Sequence, residues 1–154
     1  LGHTTIVRHN GRRCNCGRTG CLETYCSAIG VARTAREWLD MSDQPSSLRS
    51  LDTITSKDVY EAAKEGDALA IRIFEYTGTL LGEAFADFIA FSAPEAIVLF
   101  GGLARSKEFL PEPIFRSMND NVHSLWKNKV KLVYSQLKES DAAILGASAL
   151  AWER

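Results

Sequence analysis

The segment from His3 to Glu23 (HTTIVRHNGRRCNCGRTGCLE) constrains this chain more than any other. Three of the chain's four cysteines, Cys14, Cys16 and Cys21, fall within eight residues, and His3 precedes the first by eleven. Three thiolates and one imidazole make a closed tetrahedral shell for zinc. Gly17 and Gly20 can take the positive φ angles that a tight knuckle needs, and Asn10-Gly11 marks a turn just upstream. A disulfide framework fits less well. Cys14 and Cys16 are too close to bridge readily, and a disulfide scaffold would spread its cysteines along the chain. Reactive or unpaired thiols are the remaining alternative. Cys26, one helical turn further on, reads as a buried bystander because the shell is already full.

A zinc ion with three thiolates keeps a net negative charge. Arg12, Arg13 and Arg18, in or beside the loop, could offset it or donate to the sulfurs. A nucleic-acid knuckle is the competing idea for such a basic loop. It is disfavoured, because no aromatic residues interleave with the arginines and the spacing matches no common finger.

The length of 154 residues suffices for one domain with a sizeable core. The net charge of −1 gives no global field for nucleic acid or membrane, although residues 1–40 carry six Arg against three acids. No run approaches a transmembrane helix and no signal peptide pattern opens the chain. Reduced cysteines in metal spacing favour a cytoplasmic setting.

The order of elements reads as an α/β protein. Thr4–Arg8 is a strand end. Leu22 to Leu39 is one helix by its apolar spacing (Leu22, Tyr25, Ile29, Ala32, Trp38), weakened but not ended by Gly30. Residues 41–51 form a loop. Thr55 and Asp58 resemble a capping box for a short helix ending near Lys64, followed by Gly66 at its C-terminus. Asp67 caps the longest periodic segment, whose stripe is Ala70, Phe74, Thr77, Leu81, Ala84 and Phe88. Gly78 and Gly82, one turn apart, would let another element approach closely. Ala96–Phe100 (AIVLF) reads as a strand covered on both faces. A helix starts among Pro111 and Pro113. Val130–Tyr134 is a second strand, and Ser140 or Asp141 caps a last helix.

Gly2-His3 followed by Cys14-x-Cys16-Gly17-x-x-Gly20-Cys21-Leu22-Glu23 resembles the zinc signature of the ROK family, which contains bacterial sugar kinases, repressors and related proteins. The resemblance extends over essentially the whole of residues 1–154. It implies an actin-like ATPase (ribonuclease H-like) fold, here part of the C-terminal lobe with a zinc loop at 3–23 inserted and the first strands missing. The chain opens on Leu1 and is expected to be a C-terminal fragment. The implied activity of the full-length protein is phosphorylation of glucose or a related hexose by ATP with Mg, in a cytoplasmic homo-oligomer, a dimer by analogy. Neither nucleic acid nor membrane is an expected partner of this segment.

By the same resemblance, His3 ligates zinc and also contacts the sugar. If one ring nitrogen is metallated, the other is fixed as an N–H donor, which suits a hydroxyl acceptor. Glu23 is implied to accept hydrogen bonds from the sugar. It also suits a helix first turn for dipole reasons alone, and both roles are compatible. Gly101 and Gly102, at the carboxyl end of a buried strand, are implied to approach the adenosine of ATP. Their plain alternative is a tight strand-to-helix turn. The catalytic Asp and the phosphate loops of family kinases have no counterpart in these residues, so no catalytic base is assigned and the fragment alone is expected to be inactive. The alternative function is the sugar-sensing part of a ROK repressor. A third is a free-standing zinc-stabilised interaction domain.

Overall fold

The computed structural model describes residues 1–101, 106–137 and 139–152. Its centre is set by the apolar stripe after Asp67. This stripe forms α4 (Ala68–Ser92), which buries Leu69, Ala70, Ile73, Phe74, Thr77, Leu81, Ala84, Phe85 and Ile89. Phe88, the last residue of the expected stripe, is half-buried. Asp67 caps the helix as expected, its Oδ1 accepting from the N–H groups of Leu69 (3.0 Å) and Ala70 (3.1 Å). Its Oδ2 accepts from Ser46 Oγ and the Ser47 N–H, both at 2.8 Å. One carboxylate thus closes the helix start and pins the preceding loop. That loop holds a 3-10 turn, Ser47–Ser50, with Leu48 buried.

The other helices pack around α4. The sequence reads residues 22–39 as one helix, and the structure divides them. A single turn, α1 (Glu23–Cys26), is followed by α2 (Ala28–Met41), with Ser27 extended between them and accepting from the Gly30 N–H at 3.1 Å. Gly30 is where α1 folds back onto α2: a Cβ there would lie 2.5 Å from the Tyr25 carbonyl carbon. The division also turns Ile29 outward, 82% exposed, while Val31, Ala35 and Leu39 face the core. α3 (Ser56–Lys64) carries the expected capping box between Thr55 and Asp58. Its Tyr60 joins Phe74 and Phe109 in an aromatic cluster with centroids 5.5–6.4 Å apart.

α5 (Pro111–Asn121) begins at the prolines and lies directly on α4. Gly82 makes this possible. A Cβ on it would stand 2.6 Å from Ile114 O, Met118 N and Ser117 Cβ. Ser117 Oγ then reaches the Thr79 carbonyl at 2.8 Å. Strands β1 (Ala96–Leu99) and β2 (Lys131–Tyr134) flank α5 in sequence and pair in parallel, Ala96 with Lys131 through Leu99 with Tyr134. Ile97, Leu99 and Leu132 pack on the core, whereas Val98 is 60% exposed, so β1 is not covered on both faces. α6 (Glu139–Trp152) starts before Ser140, which puts Ser140 and Asp141 inside its first turn rather than at its cap. No helix among the described residues is long and apolar enough to cross a membrane.

Burial tends to raise the Asp67 carboxyl, but the Ser46 and Ser47 hydroxyls and the helix N–H groups outweigh it and hold it below its ordinary 3.8. Its contribution to stability is therefore complete above that value and lost as pH falls through the depressed one. Asp67→Ala should cost about 1–2 kcal/mol at neutral pH in urea unfolding, and the gap to the parent should close only below pH 3.8. Gly82→Ala should cost about 1–3 kcal/mol by overpacking against α5, measured the same way; unchanged stability would contradict the close helix approach.

Candidate metal centre

The segment before α1 folds back on itself through backbone contacts, not apolar burial. Thr5 bridges Cys21 and Arg13 bridges Thr19, both antiparallel. Thr4–Arg8 is therefore not a strand but one side of this short ribbon. Ile6 and Val7 both donate to Gly20 O, at 2.9 and 3.2 Å. Gly20 has φ 74°, and a Cβ there would fall 1.8 Å from the Val7 oxygen, so only glycine fits. At the tip, Cys14 N–H donates to Arg18 O (2.9 Å) and Gly17 N–H returns to Cys14 O (3.0 Å). The base of the ribbon is tied where Glu23 N–H meets Gly2 O at 2.9 Å.

This fold-back gathers the expected ligands. One donor atom each from His3, Cys14, Cys16 and Cys21 lie within 4.8 Å of one another. Cys16 Sγ and Cys21 Sγ are 3.6 Å apart, and His3 Nδ1 is 3.5 Å from Cys14 Sγ. A zinc tetrahedron with Zn–S near 2.3 Å has S–S edges of about 3.8 Å, so the donor set fits that ion in kind and in spacing. All four cysteines are free thiols. Nδ1 is the ring nitrogen that faces the Cys14 sulfur; a metal held there would fix Nε2 as the N–H.

The thiols are strongly differentiated. Cys16 is pulled down to about 6, first by the Arg18 backbone N–H and then by Cys14 and the Arg18 side chain. For Cys14 the Cys16 backbone N–H acts downward, but the Glu23 carboxylate, burial and the neighbouring thiols prevail and hold it up at about 12. Arg18, its own side chain bonded to His3 O at 2.7 Å, is the arginine that serves the sulfurs. Arg12 does not, contrary to expectation: it turns inward, away from the cluster, to Glu37. Cys26 stays outside the cluster, its thiol 3.7 Å from Thr77 O and raised to about 12 by burial.

Glu23 joins the cluster without belonging to the four. Its Oε1 is 3.1 Å from Cys14 Sγ and 3.6 Å from His3 Nδ1. It opens α1 and lines a cavity of about 490 Å³ together with Arg13, Cys14, Ser27, Ile29 and Arg33. That volume is in the range of small-molecule sites. Gly101, two residues beyond β1, has φ 100°, and no atom of the described residues outside its chain neighbours lies within 4 Å of a Cβ position. Gly102 lies outside the described residues. Reasoning from sequence missed the partners of Arg12, because Glu37 lies far from it along the chain and no local spacing links them.

The sequence model of the ROK family matches residues 1–154. The glucokinase of Thermotoga maritima is 35% identical over all of this chain and 49% of its own length. The DNA-binding transcriptional dual regulator NagC of Escherichia coli is 32% identical over 97% of this chain and 36% of its own. Among solved structures, a ROK family glucokinase from Streptomyces griseus in complex with glucose and AMPPNP superposes with a TM-score of 0.81 at 28% identity, covering 99% of this chain and 51% of that one. The chain thus spans about half or less of the length of these relatives.

Protein purified under reducing conditions should contain one zinc per chain by elemental analysis. Cys16→Ser and Cys21→Ser should lose it, and Cys26→Ser should retain it. Equal zinc content in all three variants would reject the ligand set.

Proposed function

The chain belongs to the ROK family, and from that premise we propose that it is part of an ATP-dependent hexose kinase of glucokinase type, contributing one wall of the sugar pocket. The observation that carries this reading is the Glu23 carboxylate held beside His3 at the edge of an open cavity. Zinc, held by His3, Cys14, Cys16 and Cys21, would serve as a structural cation that orders the loop.

The residues themselves do the recognition. With Nδ1 of His3 turned to the sulfurs, Nε2–H is a fixed donor for a sugar hydroxyl. Glu23 supplies the matching acceptor. Its present bond to Cys14 requires a protonated thiol; a thiolate has no proton to give, and Oε1 is then free to accept from a hexose hydroxyl. Two adjacent polar contacts of opposite sense select a polyol over an apolar ligand. Gly101 and Gly102 are proposed to lie against the nucleotide, ATP with Mg. Support comes from Gly101 at the carboxyl end of a parallel strand, where α/β folds bind ligands. No catalytic base is assigned among these residues.

The second reading, the sugar-sensing part of a repressor, is favoured by the similarity to NagC. A coupled phosphorylation assay on the whole protein separates the two: hexose-dependent ATP turnover supports the kinase, and hexose-dependent DNA binding without turnover supports the repressor. In either case Glu23→Gln should weaken hexose binding about 10-fold or more, as expected when a charged acceptor is lost, with zinc content unchanged. His3→Ala should lower zinc content and hexose affinity together. A Glu23→Gln protein with parental hexose affinity would remove this residue from the pocket.

A further inference from the structure

Arg12 is the most heavily engaged side chain of the loop, and the metal shell does not use it. Its side chain is 7% exposed. All five of its N–H donors are committed. Nε and Nη2 donate to Glu37 Oε2 at 3.1 and 2.5 Å, and Nη2 also donates to Thr34 Oγ1 at 2.9 Å. Nη1 donates to the carbonyls of Thr24 (2.8 Å) and Gly30 (3.3 Å). The guanidinium lies 4.4 Å from the Tyr25 ring centroid, while the Tyr25 hydroxyl accepts from the Arg12 backbone N–H at 2.9 Å.

These partners belong to different elements. Thr24 is on α1, Gly30, Thr34 and Glu37 are on α2, and Arg12 itself is two residues before Cys14. A helix as short as α1 has no cooperativity to hold it, and its terminal carbonyls need outside donors. Arg12 supplies one of them at Thr24, next to Glu23. Stability alone does not account for such a residue, because the Glu37 side chain is 41% exposed and an ion pair open to solvent on one side contributes little. A planar five-donor fork fixes relative position, which apolar packing does less sharply.

We propose that Arg12 is a positioning residue that couples the metal centre to Glu23: its guanidinium locks the cysteine loop, α1 and α2 in the arrangement that sets Cys14 and Glu23 side by side. Zinc held by His3, Cys14, Cys16 and Cys21 would tie the loop together at its thiols, and Arg12 ties it to α1 and α2. Loss of the Arg12 tie leaves the four ligands intact in sequence but no longer preorganised, so metal affinity falls. It also releases α1, so Glu23 drifts from the pocket even when metal is saturating. The hexose half of this proposal rests on Glu23 as a sugar acceptor; the metal half does not.

The test uses Arg12→Met, Arg12→Lys and Glu37→Gln in the whole protein of which these residues are part. Zinc affinity is read by competition with a chromophoric chelator, well below the melting temperature of each variant, and glucose affinity by calorimetry at saturating zinc. Arg12→Met should bind zinc about 10- to 100-fold more weakly, the usual loss when an outer partner of a metal site is removed. Arg12→Lys keeps the charge but not the fork and should recover little of it. Glu37→Gln, which leaves the other acceptors in place, should lie between these and the parent. Glucose affinity should fall in the same order. If Arg12→Met does not fold, the Lys and Gln variants decide the question. Zinc affinity within twofold of the parent in the folded Arg12 variants would overturn the proposal, as would full recovery by lysine. A parent that binds zinc but no glucose would sink the sugar reading of Glu23, and the zinc measurements would still decide the role of Arg12.

Discussion

The cysteine loop has to be held from outside, because it brings almost nothing apolar to the core. Of residues 1–20, only Arg12, Cys14 and Gly20 are buried, and none of these contributes an aliphatic side chain. Ile6, packed on the core, and Leu22 at the loop's end supply only part of its order by burial. What remains is a set of polar constraints: two antiparallel bridges, a glycine pressed against Val7, the Arg12 fork and the gathered thiols. Everything proposed for His3 and Glu23 depends on these constraints acting together, since both residues stand at the two ends of the ribbon and meet only when it closes.

The helical body is built on the opposite principle. Phe74, Ile73, Leu69 and Ile89 are fully buried along α4, and Leu110 just before α5 and Ile114 and Met118 on it answer them. Gly82 brings the two backbones into contact, and Asp67 stops the helix from fraying into the loop it also holds. The loop is thus a polar device mounted on an apolar platform, with α1 and α2 as the joint. Glu37 records the load on that joint. Burial acts to raise its carboxyl, yet the Arg12 and Arg33 guanidiniums beside it hold it below its usual value. Glu37 thus stays ionised beside Arg12 at neutral pH.

Local signals were the legible part of the sequence. The capping box at Thr55, the cap at Asp67, the prolines that open α5 and the cysteine spacing each involve residues a few positions apart, and each is found where the spacing put it. The errors arise where a distant partner overrides a local preference. Residues 22–39 carry helical periodicity, but Ser27 and the close contact of Gly30 with Tyr25 split them. The run AIVLF reads as doubly covered, yet Val98 is open because only the face bearing Ile97, Leu99 and Leu132 meets the core. Arg12 reads as a loop cation like Arg13 and Arg18. Its burial follows from Thr34 and Glu37, one and two turns along α2 from Gly30, and a single sequence carries no trace of that pairing.

The division between polar device and apolar platform bears on why one architecture serves both kinases and regulators, as the resemblances to glucokinases and to NagC require. The recognition proposed for His3 and Glu23 asks only that a donor and an acceptor be fixed side by side. Neither group is assigned a part in bond breaking, so the proposed contacts commit the protein neither to turnover nor to sensing. Rigid presentation of these two groups is useful to a kinase, which must orient a hydroxyl for attack. It is equally useful to a sensor, which must convert sugar occupancy into a shift between two conformations. The joint formed by α1, α2 and Arg12 meets either demand, because it transmits the position of the loop to α2 through a side chain with no slack donor left to rearrange.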